Sequence, residues 1–170
     1  MVPGMNSQPP VTVRVMPAGA APCAALLDLR VRSSQRPWMG SIADTLADLA
    51  RCPDSDSMAI LIGNTAVGHC RIDPHARSIA GHDFALPTLG LRAFFIDARW
   101  QGQGVGTRAL CALLTDVAER YPAARQLALS VDTDNQVALR LYLRAGFADS
   151  GELYHGGRHR MQQLLLRPLS

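Results

Sequence analysis

Between residues 94 and 107 the chain reads Phe-Phe-Ile-Asp-Ala-Arg-Trp-Gln-Gly-Gln-Gly-Val-Gly-Thr. A buried strand runs into a glycine-rich turn, and the turn opens a long amphipathic helix. The strand is Thr88–Asp97, whose apolar run from Leu89 to Ile96 predicts a central place in a sheet. The helix is Val105–Tyr121, with Val105, Ala109, Ala112, Leu113 and Val117 on one side and Pro122 as its stop. The first turn of a helix leaves backbone N–H groups without partners, and the macrodipole adds partial positive charge there. Glycine lets an anion come close to that backbone. Such a turn binds phosphate without a lysine.

Three phosphate loops fit a strand, a glycine turn and a helix. A Walker loop needs a lysine after its last glycine, and none follows Gly106, which sets an NTPase aside. A dinucleotide loop needs G-x-G-x-x-G/A, and Gly104-Val105-Gly106-Thr107-Arg108-Ala109 matches formally. That fingerprint also wants an acidic residue about 20 positions on. The nearest, Asp132, comes later, and little chain follows for a dinucleotide domain. A dinucleotide-binding protein therefore stays a lesser alternative.

The third pattern is Q/R-x-x-G-x-G/A, met by Gln101, Gly104 and Gly106. Downstream, Asn135, Ala138, Tyr142, Gly146 and Phe147 fill the pattern N-x-x-A-x-x-x-Y-x-x-x-G-F in register. At these residues the sequence resembles the GNAT superfamily of N-acetyltransferases. The resemblance covers residues 11–168 and is strongest over 89–147. Gln101 stands where many members have arginine, which weakens charge pairing to a pyrophosphate.

The resemblance implies direct transfer of an acetyl group from acetyl-CoA to an amine through a tetrahedral intermediate. It implies that Gln101, Gly102, Gln103, Gly104, Val105, Gly106 and Thr107 hold the pyrophosphate. The strand at Phe94, Phe95 and Ile96 is expected to splay from its neighbour and pair its backbone with the pantetheine arm. Tyr142 is the implied general acid for the departing thiolate and lies against the cofactor. Asn135 is a helix cap that touches cofactor, or a cap alone. Asp97 is a candidate base, or a turn residue, with a water chain as the other route for the proton. Arg99, Arg108 and Arg140 lie near the phosphates or are ordinary exposed arginines, and Trp100 covers the loop. His69, His75 and His82 read as surface histidines, and their spacing suits no metal.

Elsewhere, Val11–Met16 alternates as a half-buried strand. Ala20–Arg32 and Trp38–Arg51 read as helices. Ser57–Ile62 and Ala66–Ile72 form a hairpin across Gly63-Asn64-Thr65, and 73–87 reads as a loop. Gln126–Val131 is a strand. Asp134 or Asn135 caps a helix that runs to Arg144 and stops at Gly146. Phe147–Leu153 and His159–Arg167 are closing strands. The expected fold is α/β (α+β): a mixed, mostly antiparallel sheet of about seven strands flanked by about four helices. It occupies one domain, 11–168, after a disordered tail at 1–10.

Composition narrows the partners. The net charge is only +3, carried almost wholly by scattered arginines, so no nucleic-acid-binding arm is present. No apolar run is long enough to span a bilayer, and the N-terminus lacks a signal peptide, which points to a cytoplasmic protein without a membrane partner. The four cysteines, Cys23, Cys52, Cys70 and Cys111, are too far apart for a zinc knuckle and read as reduced, mostly buried thiols. Asp44 and Asp48 share a predicted helix face, and Asp54 and Asp56 follow; an acidic rim would attract a polycation. The motifs also look like the bacterial spermine/spermidine acetyltransferase branch. A polyamine is therefore the favoured acceptor, with peptide amines, aminoglycosides and amino-acid-like amines still open. A non-catalytic acyl-CoA-binding sensor is the alternative of another class. A homodimer stays open too, because the terminal strand 159–167 is apolar enough to pair with another chain.

Overall fold

The computed structural model describes residues 8–16, 24–30, 32–33, 54–155 and 161–169. Seven strands form one sheet: β1 (Val11–Val15), β2 (Asp56–Ile62), β3 (Thr65–Asp73), β4 (Thr88–Ile96), β5 (Gln126–Asp132), β6 (Ala148–His155) and β7 (Met161–Pro168). Their order is β1-β2-β3-β4-β5-β7-β6. Every neighbouring pair is antiparallel except β4 and β5, which run parallel. The mixed, mostly antiparallel sheet expected from the sequence is present.

Two multi-turn helices stand among the described residues, α3 (Val105–Arg120) and α4 (Gln136–Arg144). Two single turns, α1 (Ala24–Leu27) and α2 (Arg77–Ala80), accompany them. The helix expected at Trp38–Arg51 lies outside the described residues, as do Asp44, Asp48, Cys23 and Cys52. The helix expected to reach Arg32 stops earlier, because tertiary bonds take over. The Arg30 N–H donates to Asp97 and its carbonyl accepts from Ala98, which draws the chain off helical geometry. Within the expected loop 73–87, Asp73 ends β3 and Arg77–Ala80 makes the single turn α2. The tail expected at 1–10 is described only from residue 8, where the Pro9 carbonyl accepts from Arg108 at 2.9 Å.

The two sheet faces differ in chemistry. One is covered by α3 and α4. There Leu110, Leu113 and Val117 of α3 meet Met58, Cys70, Ile72, Leu91, Leu127, Leu129 and Val131. Leu26 and Leu29 pack on the opposite face against Ala59, Leu61 and Phe95, and Ile79 packs there against Ala128 and Leu164.

β4 keeps its apolar residues facing α3 by a change of phase. Leu91 lies in the α3-facing core, and so do Phe94 and Ile96, which have the opposite parity. Strand side chains alternate, so one extra residue must intervene. It does: three steps from Arg92 to Phe95 oppose two steps from Arg71 to His69. Ala93, inside this bulge, has φ +52°, a left-handed conformation rare for alanine.

The apolar character of the last strand has an internal cause. β7 is flanked by β5 and β6, so Leu164 and Leu165 are buried within this chain. The sheet's edges are β1 and β6, and β6 is mostly exposed. The expectation that 159–167 offers an edge to another chain is corrected accordingly.

Candidate active site

β4 and β5 pair only at Thr88↔Gln126, Leu89↔Leu127 and Gly90↔Ala128. Beyond Gly90 the two strands are no longer paired, and a wedge opens towards their C-terminal ends. Its β4 side carries peptide groups that no strand satisfies. A Cβ added at Gly68 would sit 2.4 Å from the Phe95 carbonyl oxygen, so that carbonyl is aimed at β3 and glycine is required opposite it. By strand alternation the peptide groups of Phe94 and Ile96 face the wedge. The Ile96 carbonyl is held by the Gln101 side-chain amide at 2.8 Å.

The open end of the wedge leads into a 3-10 turn, Ala98–Trp100, and then the glycine loop. Gly102 and Gly104 have φ of +75° and +74°, and a Cβ at either would meet nothing within 4 Å. Gly104 is the N-cap of α3 and supplies no side-chain cap. The first helical bond runs from the Arg108 N–H to the Gly104 carbonyl at 3.2 Å. The N–H groups of Val105, Gly106 and Thr107 precede it and have no partner within the helix. A Cβ at Gly106 would meet Leu141 at 3.4 Å, so this first turn packs on α4 by one side; the helix dipole favours an anion at its end. Gln101, expected at the phosphates, instead ties the loop to the end of β4, while Gln103 is exposed and donates to the Arg99 carbonyl at 3.3 Å.

Asp97 closes β4 and is fully buried. It accepts from the Arg30 N–H at 2.7 Å, the Arg99 N–H at 2.8 Å, and the Arg99 guanidinium at 2.9 Å through both Nε and Nη2. Burial alone would raise its pKa. The hydrogen bonds from the Arg99 side chain and backbone and from Arg30 outweigh burial and hold it below the usual carboxylate range. This geometry is that of an anchor that fixes the loop's entry. Arg99, foreseen near the phosphates, is its counter-charge. Trp100 packs on the Ile96–Val105 cluster beneath the loop.

Across the wedge, β5 ends at Asp132 and α4 begins after Asn135, whose side chain accepts from the Ala138 N–H at 3.3 Å. Asn135 thus caps α4, one of the two residues proposed for that role. About two turns on, Tyr142 is 8% exposed and stands edge-on to Phe94 and Phe147, with ring centroids 6.2 and 5.8 Å away. Burial, and after it the neighbouring Cys70, raises the Tyr142 pKa above the ordinary phenol range. The Cys70 thiol, wholly buried on β3, is itself pushed up to about 12 by burial and then by Asp116. The pair is neutral near pH 7, and the phenol keeps its proton.

Three histidines were expected at the surface. His75 and His82 are exposed, and His82 links Asp83 to Glu152. His69 is not: it is 1% exposed in the middle of β3, with Nε2 2.7 Å from the Ser57 hydroxyl. Burial, then Arg71, lowers its pKa to about 4, so it is neutral. Its strand is paired on both sides, which alternation in a single sequence does not reveal. No group of three or more His, Cys, Asp or Glu suited to a metal occurs among the described residues. Of the cysteines, Cys70 is buried as expected but Cys111 is exposed on α3. Arg140 lies on the exposed side of α4. Of the acidic rim, Asp56 accepts a hydrogen bond from Tyr121, and Asp54 lies 3.8 Å from His75. No helix of the described residues is long and apolar enough to cross a membrane.

Comparison with known proteins agrees with this geometry. Residues 23–147 match the acetyltransferase (GNAT) family. The chain is 34% identical over 134 residues to the spermine/spermidine N(1)-acetyltransferase of Bacillus subtilis strain 168, covering 79% of this chain and 86% of that protein. It is 28% identical over 142 residues to the N-alpha-acetyltransferase RimI of Mycobacterium tuberculosis, covering 84% and 81%. In fold it is similar to the aminoglycoside acetyltransferase AAC(6')-Ib solved with coenzyme A and kanamycin. That likeness has a TM-score of 0.73 at 20% identity over 93% of this chain and 94% of that one.

Proposed function

The chain belongs to the GNAT family of acetyltransferases, and from that premise we propose that it moves an acetyl group from acetyl-CoA to a polyamine. The observation that carries this reading is the wedge between β4 and β5, with the bare N-terminus of α3 at its open end and Tyr142 beside it. The N–H groups of Val105, Gly106 and Thr107 take the pyrophosphate, joined by the backbone of Gly102, Gln103 and Gly104. Gln101 serves indirectly, by holding the loop against Ile96. The wedge-facing peptide groups of Phe94 and Ile96 take the pantetheine arm in the manner of an added strand. Phe95 supports them through its packing on α1.

With the thioester in the wedge, α3 and α4 cover one side of it. Tyr142 stands on that side and protonates the departing sulfur; its raised pKa keeps it in the acid form. The amine therefore attacks the thioester carbon from the opposite sheet face. A new C–N bond forms, the C–S bond breaks, and the amine's surplus proton leaves through solvent. Asp97 is a poor receiver for that proton, because its oxygens are engaged and its pKa is low. The scheme draws all its groups from one chain. A cytoplasmic setting is part of this reading, supported by the free thiols of Cys70 and Cys111.

The polyamine acceptor is supported by the Bacillus relative. Acetyl-CoA turnover measured with spermidine, a peptide amine and an aminoglycoside tests it. Spermidine should give the highest kcat/KM, and absence of spermidine turnover at millimolar concentration removes the polyamine. A rise in melting temperature with CoA tests the wedge independently, since a ligand of the folded state must stabilise it.

A further inference from the structure

We propose that Ile79 sets the length of the acyl group that the donor can carry, an inference that rests on the acetyl-transfer reading above. The last rung that joins β4 to β5 is Gly90↔Ala128, so this rung is the closed end of the wedge. A pantetheine arm that enters from the glycine loop and runs inward past Ile96 and Phe94 points its acyl end at it. The rung is poor in side chains: Gly90 has none and Ala128 has a methyl group. A glycine inside a strand marks the close approach of another group, and here that group is Ile79. A Cβ at Gly90 would lie 2.7 Å from Ile79 Cδ1 and 3.0 Å from its Cγ1. Ile79 is 3% exposed and packs with Ala128 and Leu164. Its side chain thus fills the space over the rung, on the sheet face from which the amine arrives.

The chain around Ile79 is fastened on both sides. Before it, the His75 N–H donates to the Asp73 carboxylate at 2.9 Å. After it, the turn α2 ends at Gly81, which has φ +78° and donates its N–H to the Arg77 carbonyl at 2.8 Å. A Cβ at Gly81 would lie 3.0 Å from the Tyr154 ring of β6. His82 Nε2 stands 2.8 Å from the Glu152 carboxylate, also on β6. The segment therefore crosses the sheet in strand order, from Gly90 on β4 over Ala128 on β5 and Leu164 on β7 to Tyr154 on β6. A strap tied down in this way does not swing aside for a longer chain, and a packed interior takes an added methylene only with strain. Acetyl ends in one methyl group and stops short of Ile79. Propionyl and butyryl run into it.

The test compares wild type, Ile79→Val and Ile79→Ala with CoA, acetyl-CoA, propionyl-CoA and butyryl-CoA. The rise in melting temperature reads binding of each without any acceptor. In wild type, CoA and acetyl-CoA should raise it alike and butyryl-CoA much less. In Ile79→Ala, butyryl-CoA should match acetyl-CoA, while the rise with CoA, which has no acyl group, stays as in wild type. Turnover with the best amine among spermidine, a peptide amine and an aminoglycoside should follow. The acetyl-over-butyryl ratio of kcat/KM should fall about tenfold or more in Ile79→Ala, the scale of a methylene in an apolar pocket, with Ile79→Val in between. An unchanged preference in Ile79→Ala overturns the proposal, and so does a wild type that takes butyryl-CoA as readily as acetyl-CoA. A weaker rise with CoA itself in Ile79→Ala also overturns it, since Ile79 would then support the wedge rather than limit its contents. If Ile79→Ala does not fold, Ile79→Val decides: an unchanged acetyl-over-propionyl preference there sinks the proposal. No rise with any of the four ligands in wild type removes the acetyl-transfer reading itself.

Discussion

The parallel strands β4 and β5 each lead the chain through a short turn to a helix, yet the two helices begin differently. α3 starts at Gly104, with no side chain over its first N–H groups. α4 starts at Asn135, whose side chain takes the Ala138 N–H. An uncapped helix end is a stability cost that a protein carries where a ligand takes the missing role; a capped end is finished. The first unit thus leaves its leading N–H groups without a side-chain cap, and the second carries Tyr142 on a capped helix.

That division of labour can be broken by experiment. Tyr142→Phe should lower kcat by about a hundredfold or more and leave the KM for acetyl-CoA in place, as steady-state kinetics will read. If cofactor affinity falls in parallel, the second unit binds as well as reacts. Gly104→Val should act oppositely, raising the KM for acetyl-CoA about tenfold with less change in kcat. A Cβ at this position meets nothing within 4 Å, so the expected loss comes from obstructing the proposed phosphate site, and the left-handed backbone adds about 1–2 kcal/mol of strain.

Asp97→Asn probes the anchor at the first unit's entry. It should cost about 2 kcal/mol of stability at pH 7, the scale of charge-assisted hydrogen bonds. Since the Asp97 pKa is lower in the folded state, its contribution is present above the unfolded value near 4 and fades as pH falls through the folded one. Denaturation of wild type and variant should therefore converge in acid. Asn135→Ala should cost the least, about 0.5–1 kcal/mol, because its cap bond is long at 3.3 Å. A larger effect on acetyl-CoA binding than on melting temperature would put Asn135 in contact with cofactor.

The glycine turn and the helix it opens were readable from residues because their information is local. Gly104 and Gly106 at the start of a periodic helix already state a bare N-terminus, and Tyr142 falls in register with Asn135 and Gly146. What escaped depends on distant chain. The Asp97–Arg99 pairing is short in sequence, but its meaning needs Arg30 to bury it. His69 alternates like a surface residue, and only the strands on both sides make it internal. The bulge at Ala93 did leave a trace: Leu89 and Leu91 have one parity, Phe94 and Ile96 the other, and a single core cannot take both without a slip. The terminal strand's leucines could not say whether they wait for another molecule or sit inside their own sheet.

The early end of pairing at Gly90 means that the free enzyme is a sheet with a slit in it. Pantetheine is an amide chain, and its peptide-like groups can close that slit as a temporary eighth member. Loading the donor would then be an act of folding at the centre of the molecule. Amide protons of Phe94 and Ile96 should exchange quickly in the empty protein and slowly once CoA is seated, while those on the β3 side of the strand scarcely notice.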